Sequence, residues 1–337
     1  MERRATISDV AREAGVSIKT VSRVVRQEPN VADATRRRVQ RAVERLGYRA
    51  TQSARSASSK QSFLLGLLFD NPNPSYSADL IRASLVQAQA EGFHVVVEPV
   101  ETDSRGLSLV VRNLVVQSNL AGLILPPPLC DREEVLAVLE QLGRPAARIA
   151  PAEPRTGMSV LTDDEAAARK MTEHLIGCGR RRVALVLGRA GTATTKRRRQ
   201  GYVAALRAAG LPAQPDLIVE GDYTYRAGLA AGERLLSRRD RPDAVFALND
   251  DMAAGVIAAA YKLGLSVPED VAVAGFDDSV IATVVHPQLT TMRQPVARMA
   301  AAAVTALTHH LREDETPGEP TVIPCELMVR GSTVAGA

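Results

Sequence analysis

Three pairs of adjacent aspartates, at 163/164, 250/251 and 277/278, have the residue types and spacing that chemistry could use. Paired carboxylates can bind a metal ion or exchange protons with a substrate. No histidine cluster or nucleophile motif accompanies them, and the segment GRAGTATTK at 188–196 lacks the spacing of a phosphate-binding loop. We therefore predict no catalysis, no metal site and no cofactor.

A second pattern lies near the start of the chain, in TISDVAREAGVSIKTVSRVV at residues 6–25. Thr6 and Asp9 have the spacing of a helix capping box, and the apolar residues after them follow helical spacing. Gly15 suits the left-handed residue that ends a helix, and a helix with Val39 on its apolar face follows farther on. These signals predict a helix-turn-helix braced by a third helix. The second helix would present the following side chains to solvent: Ser17, Ile18, Lys19, Ser22 and Arg23.

The charge of the chain is distributed unevenly. Residues 1–60 contain fourteen Lys or Arg and six Asp or Glu, whereas the rest has 28 basic and 32 acidic residues. A three-helix bundle with a solvated face is the alternative interpretation of the first segment. The concentration of positive charge favours DNA binding, because phosphate groups attract it.

Composition narrows the class of protein further. The 337 residues suffice for two to three compact units, and 45% of them are hydrophobic. No apolar run reaches the roughly 18 residues of a membrane helix, and no secretory signal is visible. Cys130, Cys178 and Cys325 lack the spacing of a metal site. We expect a cytoplasmic protein without a membrane partner.

The chain after a small, polar and basic linker at 51–62 alternates between strands and helices. The run FLLGLLF at 63–69 is typical of a buried parallel strand. Further strands are predicted at 93–98, 121–126, 146–149, 182–188, 217–220, 244–249, 271–277 and 322–329. Helices are predicted at 78–91, 164–177, 195–209, 225–237, 251–263 and 296–312. This alternation predicts two halves with parallel sheets, whose ligands bind beyond the carboxyl ends of the strands.

Motifs along nearly the whole chain resemble the lactose-repressor (LacI/GalR) family of transcriptional repressors. T-I-x-D-V-A-x-x-A-G-V-S-x-x-T-V-S-R-V occupies Thr6 to Val24. In order after it come R-x-x-G-Y from Arg198 to Tyr202, FALNDDMAAG at 246–255 and VPEDVAVAGFDD at 267–278. The resemblance implies an all-α helix-turn-helix head and a two-lobed α/β core like that of periplasmic binding proteins, with parallel sheets.

The resemblance also implies domain boundaries. The head would span 1–49 and a hinge 50–62. One lobe of the core would contain 63–162 and 293–320, and the other 163–292 and 321–331.

The resemblance assigns roles on DNA. A homodimer would place one head on each half-site of a near-palindromic operator. Ser17, Ile18, Lys19 and Ser22 would read base edges, with Arg23 a reader of guanine. Thr6 and Thr35 would hold phosphates. For the arginines at 36–38, a phosphate contact and a solvated face remain equally open. Arg55 and Ala57 belong to the hinge, and Ala57 stands where the family has a leucine that wedges into the minor groove, so we expect only weak kinking.

The resemblance further implies a small effector between the lobes that changes their relative angle. The predicted contact residues are Asp70, Tyr76, Arg198, Tyr223, Asn249, Asp277 and Gln294. Their donors and acceptors suit the hydroxyls of a sugar, a sugar acid or a sugar phosphate. Structural roles remain open for some neighbours, since Asn249 could close a turn and Asp250 could cap the next helix.

Some positions depart from the family pattern. Ser75 and Tyr76 replace two phenylalanines, Ala150 replaces an acidic residue, and Asp164 replaces an asparagine. A basic run at 196–199 is either an exposed helix start or the sign of an acidic effector.

Three other functions remain as alternatives. These are an enzyme, a sugar-binding transport protein, and an activator instead of a repressor. The missing C-terminal leucine heptad predicts a dimer and not a tetramer, with helices 78–91 and 251–263 in its interface.

Overall fold

The computed structural model describes residues 5–25, 31–46, 62–70, 73–101, 105–154, 158–313 and 318–334. The chain divides into two compact units, Met1–Phe63 and Leu64–Ala337, which we call the head and the core. The predicted hinge lies outside the described residues, except for Ser62.

Three helices form the described part of the head: α1 (Ile7–Ala14), α2 (Ile18–Val25) and α3 (Asp33–Arg45). The expected capping box is present, because Thr6 Oγ1 accepts the Asp9 N–H and the Asp9 carboxylate accepts the Thr6 N–H at 2.9 Å. Gly15 ends α1 with a φ of 60°, in the left-handed region. At the start of α2, Ser17 Oγ accepts the Thr20 N–H at 3.1 Å.

A small apolar core fixes these helices against one another. Val10, Val21 and Val39 come from α1, α2 and α3, and each is fully buried. Burial of one such side chain stabilises by roughly 1.5–3 kcal/mol. The face of α2 that carries Val21 and Val24 packs on this core. The opposite face of the helix therefore remains in solvent.

The core has twelve strands and nine helices within the described residues. The strands are β1 (Leu64–Phe69), β2 (His94–Pro99), β3 (Gly122–Leu125), β4 (Ala146–Ile149), β5 (Ser159–Leu161), β6 (Val183–Val186), β7 (Ile218–Val219), β8 (Ala244–Ala247), β9 (Ala272–Asp277), β10 (Thr290–Arg293), β11 (Thr321–Val322) and β12 (Glu326–Met328). The helices are α4 (Pro74–Ala90), α5 (Leu107–Gln117), α6 (Glu133–Gln141), α7 (Asp164–Gly177), α8 (Ala193–Ala208), α9 (Tyr225–Leu236), α10 (Asp250–Lys262), α11 (Val280–Val284) and α12 (Val296–Glu313).

The strands form two six-stranded sheets with equivalent strand orders. The first has the order β11-β5-β4-β3-β1-β2 and the second the order β12-β10-β9-β8-β6-β7. The pairings are parallel except that of β10 with β12, which is antiparallel. The strand order reverses beside β1 and beside β6, and ligands of such sheets bind outside the carboxyl ends of the strands at these reversals.

Helices cover each sheet and complete two lobes. In the first lobe α12 packs against α4 and against β3, β4 and β5. In the second lobe α7 packs on α8, and α9 packs on α10. The chain passes between the lobes after β5, after β10 and after β11, so the described lobes are linked by three adjacent connections.

Two details of the sequence-based prediction need correction. The expected closing strand at 322–329 is two strands, and the first of them, Thr321–Val322, pairs with β5 in the first sheet. The range 321–331 therefore does not belong wholly to the second lobe. The short elements β5, β10 and α11 were also not predicted.

Within the described residues, no helix is both long enough and apolar enough to cross a bilayer.

Candidate functional site

The residues predicted to read DNA lie on or beside α2. Ser17, Ile18, Lys19 and Arg23 are exposed, and Ser22 is half-buried. An exposed large apolar side chain such as Ile18, at 50% exposure, is suited to contact a thymine methyl group.

The residues predicted to hold phosphates lie elsewhere on the head. Thr6 caps the exposed start of α1, and Thr35 is half-buried in the first turn of α3. Arg55 and Ala57 lie outside the described residues, so their roles stay predictions.

A cavity lies in the core, where strand ends of the two sheets face each other. The empty space between its lining atoms, including space open to solvent, is about 560 Å³. The described residues that line it are Asp70, Asn73, Tyr76, Pro127, Pro128, Ala150, Arg189, Thr192, Thr194, Arg198, Tyr223, Asp277 and Gln294. Six of the seven residues predicted to bind an effector are therefore in one lining, and Asn249 is not.

Arg198 is the centre of a buried hydrogen-bond network. Its Nε donates to Asp164 Oδ1 at 2.8 Å, its Nη1 donates to the Leu248 carbonyl at 2.8 Å, and its Nη2 donates to Gln294 Oε1 at 2.9 Å. The guanidinium also stacks on the Phe276 ring, 3.5 Å from the ring centroid. Burial alone would lower the pKa of Arg198, but the carboxylate of Asp164 and other nearby acidic groups more than offset that effect. The residue is 4% exposed, and these three bonds use three of the five N–H donors of its guanidinium.

Asp277 ends β9 and projects into the cavity. Its Oδ2 accepts a hydrogen bond from Asn73 Nδ2 of the first lobe at 3.1 Å. Burial raises the pKa of Asp277 well above its ordinary value, although the nearby charge of Arg198 lowers it. Its carboxyl oxygens can accept hydrogen bonds from the hydroxyl groups of a ligand.

Tyr223 forms one wall of the cavity and is held from three sides. Its hydroxyl is 2.9 Å from Thr195 Oγ1, and its ring leaves no space for a Cβ on Gly188. Asn249 Nδ2 donates to the Tyr223 carbonyl at 2.9 Å.

Asn249 does not line this cavity, so its contact with the effector stays a prediction. Asn249 is 1% exposed, and its Oδ1 caps α10 by accepting the Met252 N–H at 3.0 Å. Both ends of the amide are thus occupied, and the residue positions Tyr223 from behind. Asp250, considered above as the cap, instead accepts from the Ser279 N–H and the Thr291 hydroxyl.

The first lobe contributes Asp70 and Tyr76. Asn73 caps α4 by accepting the Tyr76 N–H at 3.1 Å, which fixes the start of the helix at the cavity. Burial raises the pKa of Tyr76, so its hydroxyl remains protonated and can act as a hydrogen-bond donor. Asp70 forms an ion pair with Arg189 of the second lobe, with 3.2 Å between Oδ2 and Nη1.

Several lining residues have backbone conformations that favour glycine. Ala150, Tyr223 and Asp277 have φ angles of 50°, 73° and 114°. Such strain costs of the order of 1–3 kcal/mol per residue and tends to cluster at ligand sites. These strained φ angles are therefore maintained by the surrounding structure, which holds the lining side chains in place.

The sequence did not reveal Asn73, Arg189 and the Pro127-Pro128 pair as lining residues. Asn73 stood in a motif that departs from the family, and Arg189 lay in a segment considered only as a phosphate-binding loop. Of the basic run at 196–199, Arg198 belongs to this lining, whereas Lys196, Arg197 and Arg199 line a separate groove with Glu153.

A helix-turn-helix head and a two-lobed α/β core define a class of DNA-binding regulators built on a periplasmic-binding-protein-like core. Residues 6–50 match the description "Bacterial regulatory proteins, lacI family", and residues 172–333 match "Periplasmic binding protein-like domain". Over 330 residues the chain is 34% identical to catabolite control protein A of Priestia megaterium, covering 97% of this chain and 99% of that protein.

Solved structures agree with these matches. A structure of the lac repressor dimer bound to operator and the anti-inducer ONPF has a TM-score of 0.84 at 29% identity, over 99% of this chain and 100% of that chain. A complex of the transcriptional regulator CelR with cellobiose has a TM-score of 0.75 at 30% identity. The match covers 98% of this chain and 100% of that chain. The chain belongs to the lactose-repressor family of DNA-binding transcription regulators, and these relatives are regulators and not enzymes.

Proposed function

We propose that the protein is a homodimeric repressor that binds a near-palindromic operator. A small polyhydroxylated effector, from the sugars, sugar acids or sugar phosphates, binds in the core cavity and changes operator affinity. The proposal rests on the cavity, because polar and aromatic side chains from both lobes meet in one lining. These are Tyr76, Tyr223, Asp277 and Gln294.

The chemistry of the lining suits hydroxyl groups better than an apolar ligand. Asp277 and Asp70 offer carboxyl oxygens, Asn73 and Gln294 offer amides, and the ring of Tyr223 offers a flat surface for a sugar ring. The relative CelR is described in complex with cellobiose, a sugar, which supports the same class for this cavity.

Contacts across the cavity supply the coupling that regulation requires. Asn73 with Asp277, and Asp70 with Arg189, join the two lobes at the place where an effector would bind. A ligand that replaces or bridges these bonds favours one arrangement of the lobes over another. By reciprocity, operator binding then changes effector affinity by the same factor as the effector changes operator affinity.

A dimer is supported by exposed apolar side chains on the core. Val280 and Val284 of α11 are 73% and 69% exposed, and Tyr261 in the neighbouring α10 is 49% exposed. In α4, Leu85 and Val86 are 43% and 65% exposed. These helices include those predicted for the interface, and the similar lac repressor is described as a dimer on its operator.

A thermal-shift screen of the purified protein against sugars, sugar acids, sugar phosphates and nucleosides tests the proposal. The control is Asp277→Asn, which keeps the size of the side chain and removes its titratable group. We expect one class to raise the melting temperature of the natural protein and to raise that of the variant much less. Nucleosides as the only stabilising class would contradict a sugar-type effector.

The ligand found in this way is then added to operator titrations. A change of operator affinity in either direction supports the proposal, with a decrease indicating an inducer and an increase a corepressor. A ligand that binds the cavity and leaves operator affinity unchanged would refute the regulatory coupling.

A further inference from the structure

We propose that Arg197 is a latch that holds the two lobes together beside the cavity without contacting the effector. Its guanidinium, on α8 of the second lobe, binds a loop of the first lobe that also carries part of the cavity wall. Release of this contact lets the lobes move apart and changes operator affinity. The link to operator affinity rests on the proposed function, whereas the latch itself can be tested without an effector.

The latch consists of two hydrogen bonds between the lobes. Arg197 Nη2 donates to the carbonyl oxygen of Pro151 and to that of Ala152, each at 2.7 Å. Both carbonyls belong to the loop after β4 of the first lobe, whereas Arg197 lies in α8 of the second lobe. Hydrogen bonds from a charged donor are stronger than those between neutral groups. The contact therefore favours the arrangement of the lobes in which the loop and the helix are adjacent.

The loop that accepts these bonds is fixed to the first lobe. The Ala152 N–H donates to Asp131 Oδ1 at 2.9 Å, and Arg148 Nη2 donates to the same oxygen at 2.8 Å. Arg148 Nη1 also donates to the Glu153 carbonyl at 3.3 Å. Because these bonds hold the loop on its own lobe, the bonds to Arg197 act on that lobe as a whole.

Arg197 is close to the cavity in sequence but is not part of its lining. Its neighbour Arg198 and the helix cap Thr192 line the cavity from the second lobe, and Ala150 of the bound loop lines it from the first lobe. Arg197 itself lines the separate groove that contains Glu153. An effector that moves the start of α8 or the Ala150 loop therefore lengthens the latch bonds without contacting Arg197.

Exposure distinguishes the latch from the buried arginine beside it. Arg198 is 4% exposed and donates to Asp164 and Leu248 within its own lobe, so breaking its bonds would leave a buried charge unpaired. Arg197 is half-buried, and Ala152 is exposed. Water can therefore take over the donors of Arg197 and the Ala152 carbonyl as the lobes part. The latch can open at moderate cost, as a reversible contact must.

Arg197 could instead stabilise only its own helix, and matched variants separate the two roles. Arg197→Met removes the donors and keeps most of the apolar stem, whereas Arg197→Lys keeps a cation that can donate to the same carbonyls. Arg199→Met removes the same charge from an exposed position of the same helix and serves as the control. Asp131→Ala loosens the loop from the first lobe without changing the second lobe.

The distance between the lobes is the main readout. Spin labels are attached through non-natural amino acids at Ala137 and Ala208, which are exposed residues of α6 and α8. Labelled chains are mixed with an excess of unlabelled chains, so that one dimer contains one labelled pair. Double electron–electron resonance without added effector then gives the distance within one chain.

We expect a longer mean distance in Arg197→Met, a distance close to that of the natural protein in Arg197→Lys, and no change in Arg199→Met. Asp131→Ala should also lengthen the distance. Combining it with Arg197→Met should add little, because both changes weaken the same contact.

Operator titrations connect the latch to the proposed function. Arg197→Met and Arg199→Met have the same net charge, so a difference between them does not come from the general attraction of DNA for cations. We expect their operator affinities to differ by roughly fivefold or more, the lower end of typical coupling between two sites. Urea unfolding confirms that each variant is folded.

Three results would overturn the inference. If the distance in Arg197→Met equals that in Arg199→Met, there is no latch, and the proposed effector function still stands. If the distance in Arg199→Met lengthens as much, the charge of α8 and not the two bonds holds the lobes. If the distance lengthens only in Arg197→Met but the two operator affinities are equal, the latch does not act on the head, and the proposed regulatory coupling is contradicted as well. Where Arg197→Met does not fold, an unchanged distance in Asp131→Ala refutes the latch.

Discussion

Asp250 shows how a single buried carboxyl group connects the cavity to stability. It is fully buried, and its oxygens accept the Ser279 N–H at 2.7 Å and the Thr291 hydroxyl at 2.6 Å. Burial raises its pKa from an ordinary 3.8 to about 7, and these hydrogen bonds only partly offset the effect. The side chain ties α10, α11 and β10 together behind Asp277.

This pKa shift predicts how the stability of the core depends on pH. Between pH 3.8 and about 7 the unfolded chain releases the proton that folded Asp250 keeps, so the free energy of unfolding falls as pH rises through this window. Asp250→Asn cannot titrate, and its stability should fall less between pH 5 and pH 8. Urea unfolding of both proteins at the two pH values measures the difference. Lowering of the His174 pKa by burial acts in the opposite direction, but it is common to both proteins and cancels. Equal declines in the two proteins would show that Asp250 is ionised throughout.

Arg23 carries the sharpest residue-scale prediction for DNA. It lies on the exposed face of α2, where a bidentate contact to guanine is the commonest specific interaction. Arg23→Ala should cost roughly 1–3 kcal/mol on the cognate operator and relax specificity at one base pair. Titrations against single-base operator variants and random DNA measure both effects. An equal loss on random DNA would mean that Arg23 contacts only phosphate.

At the scale of elements, two helices of the second lobe approach each other through glycines. A Cβ on Gly228 of α9 would lie 2.1 Å from the Met252 carbonyl oxygen, and one on Gly255 of α10 would lie 2.4 Å from the Tyr225 carbonyl oxygen. Both obstacles are backbone atoms, which cannot move like a flexible side chain. This contact also fixes the start of α10, where Asn249 positions Tyr223.

Gly228→Ala should therefore push α9 away from α10 and destabilise the core by about 1–3 kcal/mol. Gly177→Ala is the matched control, because its Cβ would have no heavy atom within 4 Å and it lies at the exposed end of α7. Alanine there should be neutral or stabilising by up to about 1 kcal/mol. The urea concentration at which half of each variant is unfolded tests this prediction. Equal midpoints would show that the helices have room for a methyl group.

The same scale shows what the sequence could and could not predict. β1 and β9 were found because each is a run of buried apolar residues. β10 was missed because Thr290 and Thr291 are polar, and their burial depends on hydrogen bonds to distant residues. The cap formed by Asn249 was not singled out, because an asparagine after a strand can serve equally as a helix cap or as a ligand contact. Arg189 was missed because only the folded structure brings its loop opposite Asp70.

At the scale of the whole molecule, the two sheets share one strand order and place their carboxyl ends at a common cavity. Three adjacent connections join the lobes, so their relative angle can change without breaking either sheet. Regulation by such a change requires that the two cores of a dimer respond together. The proposed dimer interface is therefore part of the mechanism and not only a means of pairing the heads.

The interface is tested by charging its most exposed apolar helix. Val280→Glu combined with Val284→Glu places two carboxylates on α11, and burying them against a second copy would be costly. We expect a monomer by sedimentation, and weaker operator binding because two half-sites are no longer engaged by linked heads.

The matched control for this double variant is Leu109→Glu with Val116→Glu. Both residues are 60% exposed on α5, a helix outside the predicted interface. This control should remain a dimer with unchanged operator affinity, since its new charges stay in water. A dimer that survives the change on α11 would place the interface elsewhere, and the exposed Leu85 and Val86 of α4 would then be the next side chains to charge. Loss of the dimer in the control would show that α5 belongs to the interface.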